Sequence, residues 1–146
     1  MKLLYALLIT TLATSCDSQD DAPINGSLFG TWQLIEKHDG GSPQPNQAVE
    51  NGYIMSLNTD FTVTTTHPTI GCPENYDLLY GTFETTSDDN GKLLNIKLTC
   101  ENSSLNIEYY YGVDSKGFLV ISPKESTCDE GCSWKFKRIE VPKSRD

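Results

Sequence analysis

Four cysteines, Cys72, Cys100, Cys128 and Cys132, are the residues with the most direct chemistry in the chain. Thiolates can ligate zinc, but a structural zinc site usually takes two closely spaced pairs, and only Cys128 and Cys132 are close. In an exported protein, an even number of cysteines indicates disulfide bonds instead. Four cysteines allow three pairings. We favour Cys72–Cys100 with Cys128–Cys132, because the turn in Cys-Asp-Glu-Gly-Cys lets its two ends meet.

The histidines and carboxylates form no recognisable catalytic pattern. His38 and His67 are the two histidines, and neither has a partner at the spacing of a metal site. Glu36 and Glu84 could form an acid–base pair across strands, but charged strand residues more commonly lie on a solvated outer face. Nucleophile-elbow, zinc-protease and phosphate-loop motifs are missing from the sequence. We therefore expect a protein that is not an enzyme and that needs no metal or cofactor.

The charge balance excludes one class of partner. The chain has 20 acidic and 11 basic side chains, a formal net charge of −9. Its one basic grouping is Lys135, Lys137 and Arg138, whereas a nucleic-acid-binding face carries many basic residues with interleaved aromatics. Nucleic acid is therefore excluded as a partner.

The first sixteen residues have the pattern of an export signal. Met1 and Lys2 precede an apolar run, Leu3–Ala13, which is shorter than the roughly 20 residues of a membrane-spanning helix and fits a signal h-region. Ala13-Thr14-Ser15 then lead into Cys16. This segment resembles the lipobox of bacterial lipoproteins, although Ala13 replaces the usual leucine. The resemblance implies lipid attachment at Cys16; an ordinary signal peptide is the alternative.

The segment after Cys16 is polar, acidic and rich in turn residues, a composition typical of a flexible tether. It also resembles the surface-export signal of Bacteroidetes-type lipoproteins. We divide the chain into a signal peptide (1–15), the lipidated Cys16 with its tether (16–27) and one domain (28–146). The expected location is the bacterial cell envelope, as an outer-membrane lipoprotein that faces the periplasm or the cell surface and reaches the membrane through its lipid.

The domain consists of short alternating segments separated by turn residues, with no convincing helical period. Residues Gln47–Asn51 form at most one helical turn. Asp88-Asp89-Asn90-Gly91 indicates a hairpin, since Asn-Gly readily takes positive φ, and it lacks the ligand spacing of a calcium loop. Short connections favour an all-β, eight-stranded antiparallel up-and-down barrel over a sandwich, which usually needs a Greek-key crossover. The predicted strands are Phe29–Lys37, Tyr53–Asn58, Phe61–His67, Leu78–Thr86, Lys92–Cys100, Leu105–Val113, Phe118–Ser122 and Ser133–Glu140.

Gly30-Thr31-Trp32 at the start of the first strand resembles the Gly-x-Trp motif of lipocalins. The resemblance implies that Trp32 closes one end of the barrel and that Arg138, in the last strand, packs across it. Residues 28–141 are also similar to the lipocalin-like lipoproteins of Bacteroidetes-type bacteria. The shared features are the Gly-Thr-Trp start, a Gly-Gly loop, Asp60-Phe61 in a turn, and the late Cys-x-x-Gly-Cys followed by Phe-Lys-Arg-Ile. Unlike lipocalins proper, the chain has no obvious helix near its last strand.

Alternation predicts which residues face the barrel interior. Trp32 and Leu34 face inward, which carries Glu36 and His38 to the same face nearer the rim. A barrel of eight strands either is filled by side chains or holds one small ligand. The first possibility gives a surface module that binds a macromolecular partner through rim loops such as Asp39–Glu50 and Pro68–Asn75. The second, which we favour, gives a non-catalytic carrier of a small lipophilic ligand, bound by Glu36, His38, Tyr53, Tyr109 and Tyr111.

Overall fold

The computed structural model describes residues 26–40, 46–66, 77–125 and 131–140. The regular structure in these ranges is entirely β-strand. The described strands are β1 (Gly30–Asp39), β2 (Gln47–Ala48), β3 (Ile54–Leu57), β4 (Thr62–Thr65), β5 (Leu79–Asp88), β6 (Gly91–Thr99), β7 (Ser104–Val113), β8 (Leu119–Pro123) and β9 (Cys132–Ile139).

Eight of these strands close into a barrel. β1 pairs with β3, each strand from β3 to β9 pairs antiparallel with the next, and β9 pairs with β1 along almost its whole length. Closure removes the exposed edges that an open sheet would carry. The predicted all-β, eight-stranded, lipocalin-like up-and-down barrel is confirmed, and β2 is one strand more than predicted.

The meander gives the barrel two different ends. The closed end is the end at which the chain enters the barrel at Leu28. The turns β3–β4, β5–β6 and β7–β8 also lie at this end. The opposite end, here called the mouth, carries the β6–β7 turn and the last residues of β1, β4 and β8. Cys100 follows β6 and Cys132 begins β9, so both lie at the mouth.

The segment 47–51, for which at most one helical turn was expected, begins as a short strand. Gln47 and Ala48 form β2, which pairs with Lys37 and Glu36 of β1. β3 pairs only with the first half of β1, from Gly30 to Gln33. On that edge of β1, the second half is left available for another strand. An unpaired strand edge is a template for any extended segment nearby, and β2 fills it.

A β-bulge in β1 changes which residues face the interior. Leu34 lies opposite Phe136, but the register then shifts, so that Glu36 lies opposite Lys135 and Lys37 opposite Trp134. An extra residue in one strand moves all later side chains to the other face. Glu36 and His38 therefore do not share the face of Leu34, and their predicted inward orientation is wrong. Lys37 takes that face instead.

Turn aspartates define the closed end. The Asp60 carboxylate accepts hydrogen bonds from the hydroxyl and the backbone N–H of Thr62. Asp88 accepts from the N–H groups of Asn90 and Gly91. Asp114 accepts from those of Lys116 and Phe118. In the predicted Asn90-Gly91 turn, positive φ occurs at Gly91 (152°) and not at Asn90.

These hydrogen bonds make the barrel sensitive to acid. Hydrogen bonds from Thr62, Asn90 and Phe118 lower the pKa values of Asp60, Asp88 and Asp114 below the ordinary 3.8. The folded state therefore binds fewer protons than the unfolded state, so this stabilisation is present above the unfolded pKa and is lost as the pH falls through the folded pKa. We expect the urea midpoint to fall below pH 4. The triple variant Asp60→Asn, Asp88→Asn, Asp114→Asn should show a shallower fall; parallel curves would refute this origin.

Candidate functional site

The closed end is built around Trp32. Its side chain is fully buried, and its indole Nε1 donates to the carbonyl oxygen of Leu28 at 2.8 Å. The Arg138 guanidinium lies 4.2 Å from the ring centroid. The same guanidinium donates to the carbonyl oxygens of Phe29 and Ser27. The contact that the lipocalin resemblance implies is therefore present, and it fastens the incoming chain to the last strand.

This arrangement requires a glycine at position 30 for steric reasons. Its φ is 141°, a value that residues with a side chain rarely adopt, and a Cβ there would lie 2.0 Å from Arg138 Nη1. Glycine is the residue that permits such a close approach. The Gly-x-Trp pattern thus serves the packing of the closed end, and Arg138 and Trp32 act there as structural residues.

The structure brings together two of the five residues predicted to bind a ligand, Tyr53 and Tyr109, which line one interior cavity. Tyr53 packs edge-to-face on Phe136 at 5.5 Å between ring centroids, and Tyr109 packs likewise on Trp134 at 5.8 Å. Tyr111 lies opposite the buried Ile121 and also packs against the core. Burial, with a smaller contribution from Tyr109, raises the pKa of Tyr53 well above its ordinary value of 10. These side chains are aromatic and inward-facing.

Glu36 lies apart from this aromatic group. It faces away from the interior after the bulge, and its Oε1 accepts a hydrogen bond from the side-chain amide of Asn46. Ala48 of β2 lies directly across from it. His38 has the same facing, opposite Ser133. The predicted mixture of polar and aromatic groups around one cup therefore does not assemble.

The interior between the aromatic residues is almost filled. The cavity there has a volume of about 20 Å³, which is enough for about one water molecule. Sites for small organic ligands usually enclose about 300–1,000 Å³. The cavity is lined by Tyr53, Met55, Val63, Thr65, Ile96, Leu98, Ile107, Tyr109 and Ile121.

The predicted disulfide framework is described in part. Cys100 and Cys132 are both disulfide-bonded and are nearly fully buried. Cys72 and Cys128 lie outside the described residues, so the preferred pairing stays a prediction. Cys16, His67 and the loop Pro68–Asn75 also lie outside the described ranges, and the loop Asp39–Glu50 lies partly outside them.

One hollow with a mixed polar lining lies on the outer face of the barrel. It is a groove of about 410 Å³ across β5, β6 and β7. Two rows of side chains cross it, since Thr82 pairs with Lys97 and Lys97 with Asn106, while Glu84 pairs with Asn95 and Asn95 with Glu108. We call this feature the outer groove.

The outer groove was not among the sites predicted from the sequence. The sequence does carry a signal for it. In three long consecutive strands, every second residue faces outward, and most of these outward residues are polar. Such a pattern is ordinarily a solvated face. The residue pattern does not distinguish a flat solvated face from one that holds a groove.

Comparisons with protein-family models, curated proteins and solved structures found no match for this chain. In the described ranges, no helix has the length and apolar character needed to cross a membrane. Within the same part of the chain, histidine, cysteine and carboxylate side chains form no group of three or more that could hold a metal ion.

Proposed function

We propose that this protein is a lipid-anchored lipoprotein of the bacterial envelope whose filled barrel works as a non-catalytic binding module through its outer surface. The observation that carries the proposal is the contrast between an interior cavity of about 20 Å³ and an outer groove of about 410 Å³. A ligand of ordinary size fits the second space and not the first.

The lipid anchor rests on the signal-like residues before Cys16 and on the position of the domain start. The chain enters the barrel at the closed end, where Arg138 holds the carbonyl oxygens of Ser27 and Phe29. A tether from Cys16 would therefore approach the barrel from the closed end, and the mouth would lie on the far side of the domain from the attachment point.

A lipophilic ligand in the interior is the second candidate, favoured by the half-buried aromatic side chains near the mouth. Tyr109 and Trp134 each stay partly exposed while they pack against the core. Binding there requires one of these rings to move, because the present cavity holds no more than a water molecule. That rearrangement costs packing contacts, which is why we place this candidate second.

Mass spectrometry of the full chain, exported and purified from a bacterial host, tests both parts of the proposal. We expect the denatured mass to correspond to a chain that begins at Cys16 and carries a diacylglycerol, and the lipid to be lost in Cys16→Ser. For residues 16–146 carrying Cys16→Ser, which have no lipid anchor to hold free lipid, we expect the native mass after exposure to a lipid extract to show no additional molecule. A native mass with a co-purified lipid would overturn the filled barrel, and a chain cleaved without lipid would overturn the anchor.

Removal of one ring should open the interior artificially. In Tyr109→Ala we expect benzene to bind and to raise the melting temperature, because apolar cavities of sufficient size accept such ligands. Benzene should not change the melting temperature of the unaltered protein. The variant should lose about 2 kcal/mol of unfolding free energy, less than the cost for a fully buried ring. Glu36→Ala is the matched control and should leave both quantities unchanged. Equal benzene stabilisation of the unaltered protein would show that the interior was already open.

A further inference from the structure

The outer groove has the size of a small-molecule site and a balanced charge. Its volume is about 410 Å³. The carboxylates of Glu84 and Glu108 line it together with the ammonium group of Lys97, and Lys124 forms an ion pair with Glu108 at 3.2 Å. Two negative and two positive groups leave no net charge, so neither a strongly anionic nor a strongly cationic ligand gains from long-range attraction.

The polar groups of the groove are mixed in type. Thr82 offers a hydroxyl, Asn95 and Asn106 offer amides that both donate and accept, and the two glutamates accept only. Side chains on directly opposite residues of adjacent strands lie about 4.5–5.5 Å apart at Cβ. A ligand that matches such an array carries closely spaced groups that each donate and accept, which is the property of neighbouring hydroxyls on a sugar ring.

Asn95, at the centre of the groove, has an unmet hydrogen-bond acceptor. Its Oδ1 is buried and has no hydrogen-bond partner in the described part of the chain. Its Nδ2 donates to Glu84 Oε1 at 3.4 Å and to Thr86 Oγ1 at 3.5 Å, both at the long limit. Buried polar atoms are nearly always paired, and an exception needs a reason. Weakly held, this amide can turn and accept from a ligand hydroxyl.

Tyrosines stand at both ends of the groove. Tyr80 lies one row before Thr82 on the same outer face and is 61 % exposed. Tyr110 lies one row beyond Glu108, opposite the buried Leu93, and its hydroxyl donates to Asp88 Oδ2 at 3.1 Å. A tyrosine ring offers a flat apolar surface with a polar tip. Tyr80 is the ring that remains available to a ligand.

We propose that the outer groove binds a neutral oligosaccharide, with Asn95, Asn106 and Glu84 bonded to its hydroxyls and a sugar ring stacked on Tyr80. This inference rests on the proposed function, because it names the ligand class of the surface module. The recognition is non-catalytic and involves no covalent step.

The test is a titration of residues 16–146 carrying Cys16→Ser, which contain the whole closed barrel, followed by ¹⁵N–¹H NMR. The probes are maltotriose, cellotriose and mannotriose, with a lysine-rich peptide and a trigalacturonate as charged comparisons. We expect at least one neutral trisaccharide to shift the backbone amides of Thr82, Asn95 and Asn106, with a dissociation constant on the order of 1 mM or below. The charged probes should leave these amides unshifted.

Variants separate recognition from folding. Asn95→Ala should weaken the trisaccharide at least tenfold, and Tyr80→Ala, an exposed position, should weaken it about fivefold with an unchanged urea midpoint. Asn102→Ala, on the β6–β7 turn outside the groove, is the matched control and should bind normally. Absence of groove shifts with every neutral probe, or preferential binding of a charged probe, overturns the inference. The proposed function fails separately, through a lipid in the native mass.

Discussion

Trp32→Ala is expected to lower the free energy of unfolding by about 3–5 kcal/mol. The side chain is fully buried, and its loss removes a large apolar ring together with the Nε1 hydrogen bond to Leu28. It also takes away the face on which the Arg138 guanidinium rests. For a domain of this size, the melting temperature should fall on the order of 10–20 °C. Urea denaturation followed by far-ultraviolet circular dichroism measures the change.

Two further variants identify the cause of the loss. Trp32→Phe keeps an aromatic ring but cannot donate to Leu28, so it should lose about 1–2 kcal/mol. In a double-mutant cycle, Trp32→Ala and Arg138→Ala should cost less together than the sum of their separate effects, because each removes the same stacked contact. An additive cycle would show that Arg138 stabilises the closed end independently, through Phe29 and Ser27.

The sequence was sufficient for the barrel because each strand carries its own local signals. The segment Lys92–Cys100 alternates Leu94, Ile96 and Leu98 with polar residues, and the structure gives β6 as Gly91–Thr99 with those three side chains buried. Turn residues bound each strand, so order and register follow from short connections. The closure of β1 on β9 then follows from the need to cover both edges.

The positions of the predicted ligand-binding residues could be predicted less well from local signals. Tyr53 and Tyr109 do meet in the interior, because uninterrupted alternation carries them there. Glu36 and His38 do not, because one extra residue in β1 reverses the facing of everything after Leu34. Nothing in the local pattern marks that bulge; it arises where β1 pairs with both β9 and β2, a tertiary relation. Alternation counted along a strand fails at the first bulge.

The volume of the interior also depends on relations that no single strand contains. The same side chains, Tyr53, Tyr109 and Trp134, are compatible with a wall around a ligand or with a filled core. The difference of a few ångströms in barrel radius depends on strand tilt and stagger. The pairing register fixes these quantities, and in this protein they bring the rings close enough to leave room for about one water molecule.

Gly81 in β5 provides a second large effect, since the β6 backbone occupies the space that a side chain at this position would need. A Cβ added at Gly81 would lie 2.1 Å from the carbonyl oxygen of Lys97 and 3.0 Å from the Cα of Leu98. These are backbone atoms, which cannot move aside without separating the two strands. We expect Gly81→Ala to cost about 2–3 kcal/mol, the upper range for overpacking, and to speed hydrogen exchange at the β5–β6 amides.

Gly112 in β7 is the matched control for this substitution. A Cβ there meets no atom within 4 Å, and its backbone does not have the positive φ that disfavours other residues. Gly112→Ala should therefore change stability by less than about 1 kcal/mol, in the stabilising direction, because alanine restricts the unfolded chain. Since Gly81 also lets β5 approach Lys97 beneath the outer groove, Gly81→Ala should reduce trisaccharide binding as well. Equal stability of the two alanine variants would mean that the strands tolerate a wider spacing. That result would contradict both the tight packing at Gly81 and its influence on the groove.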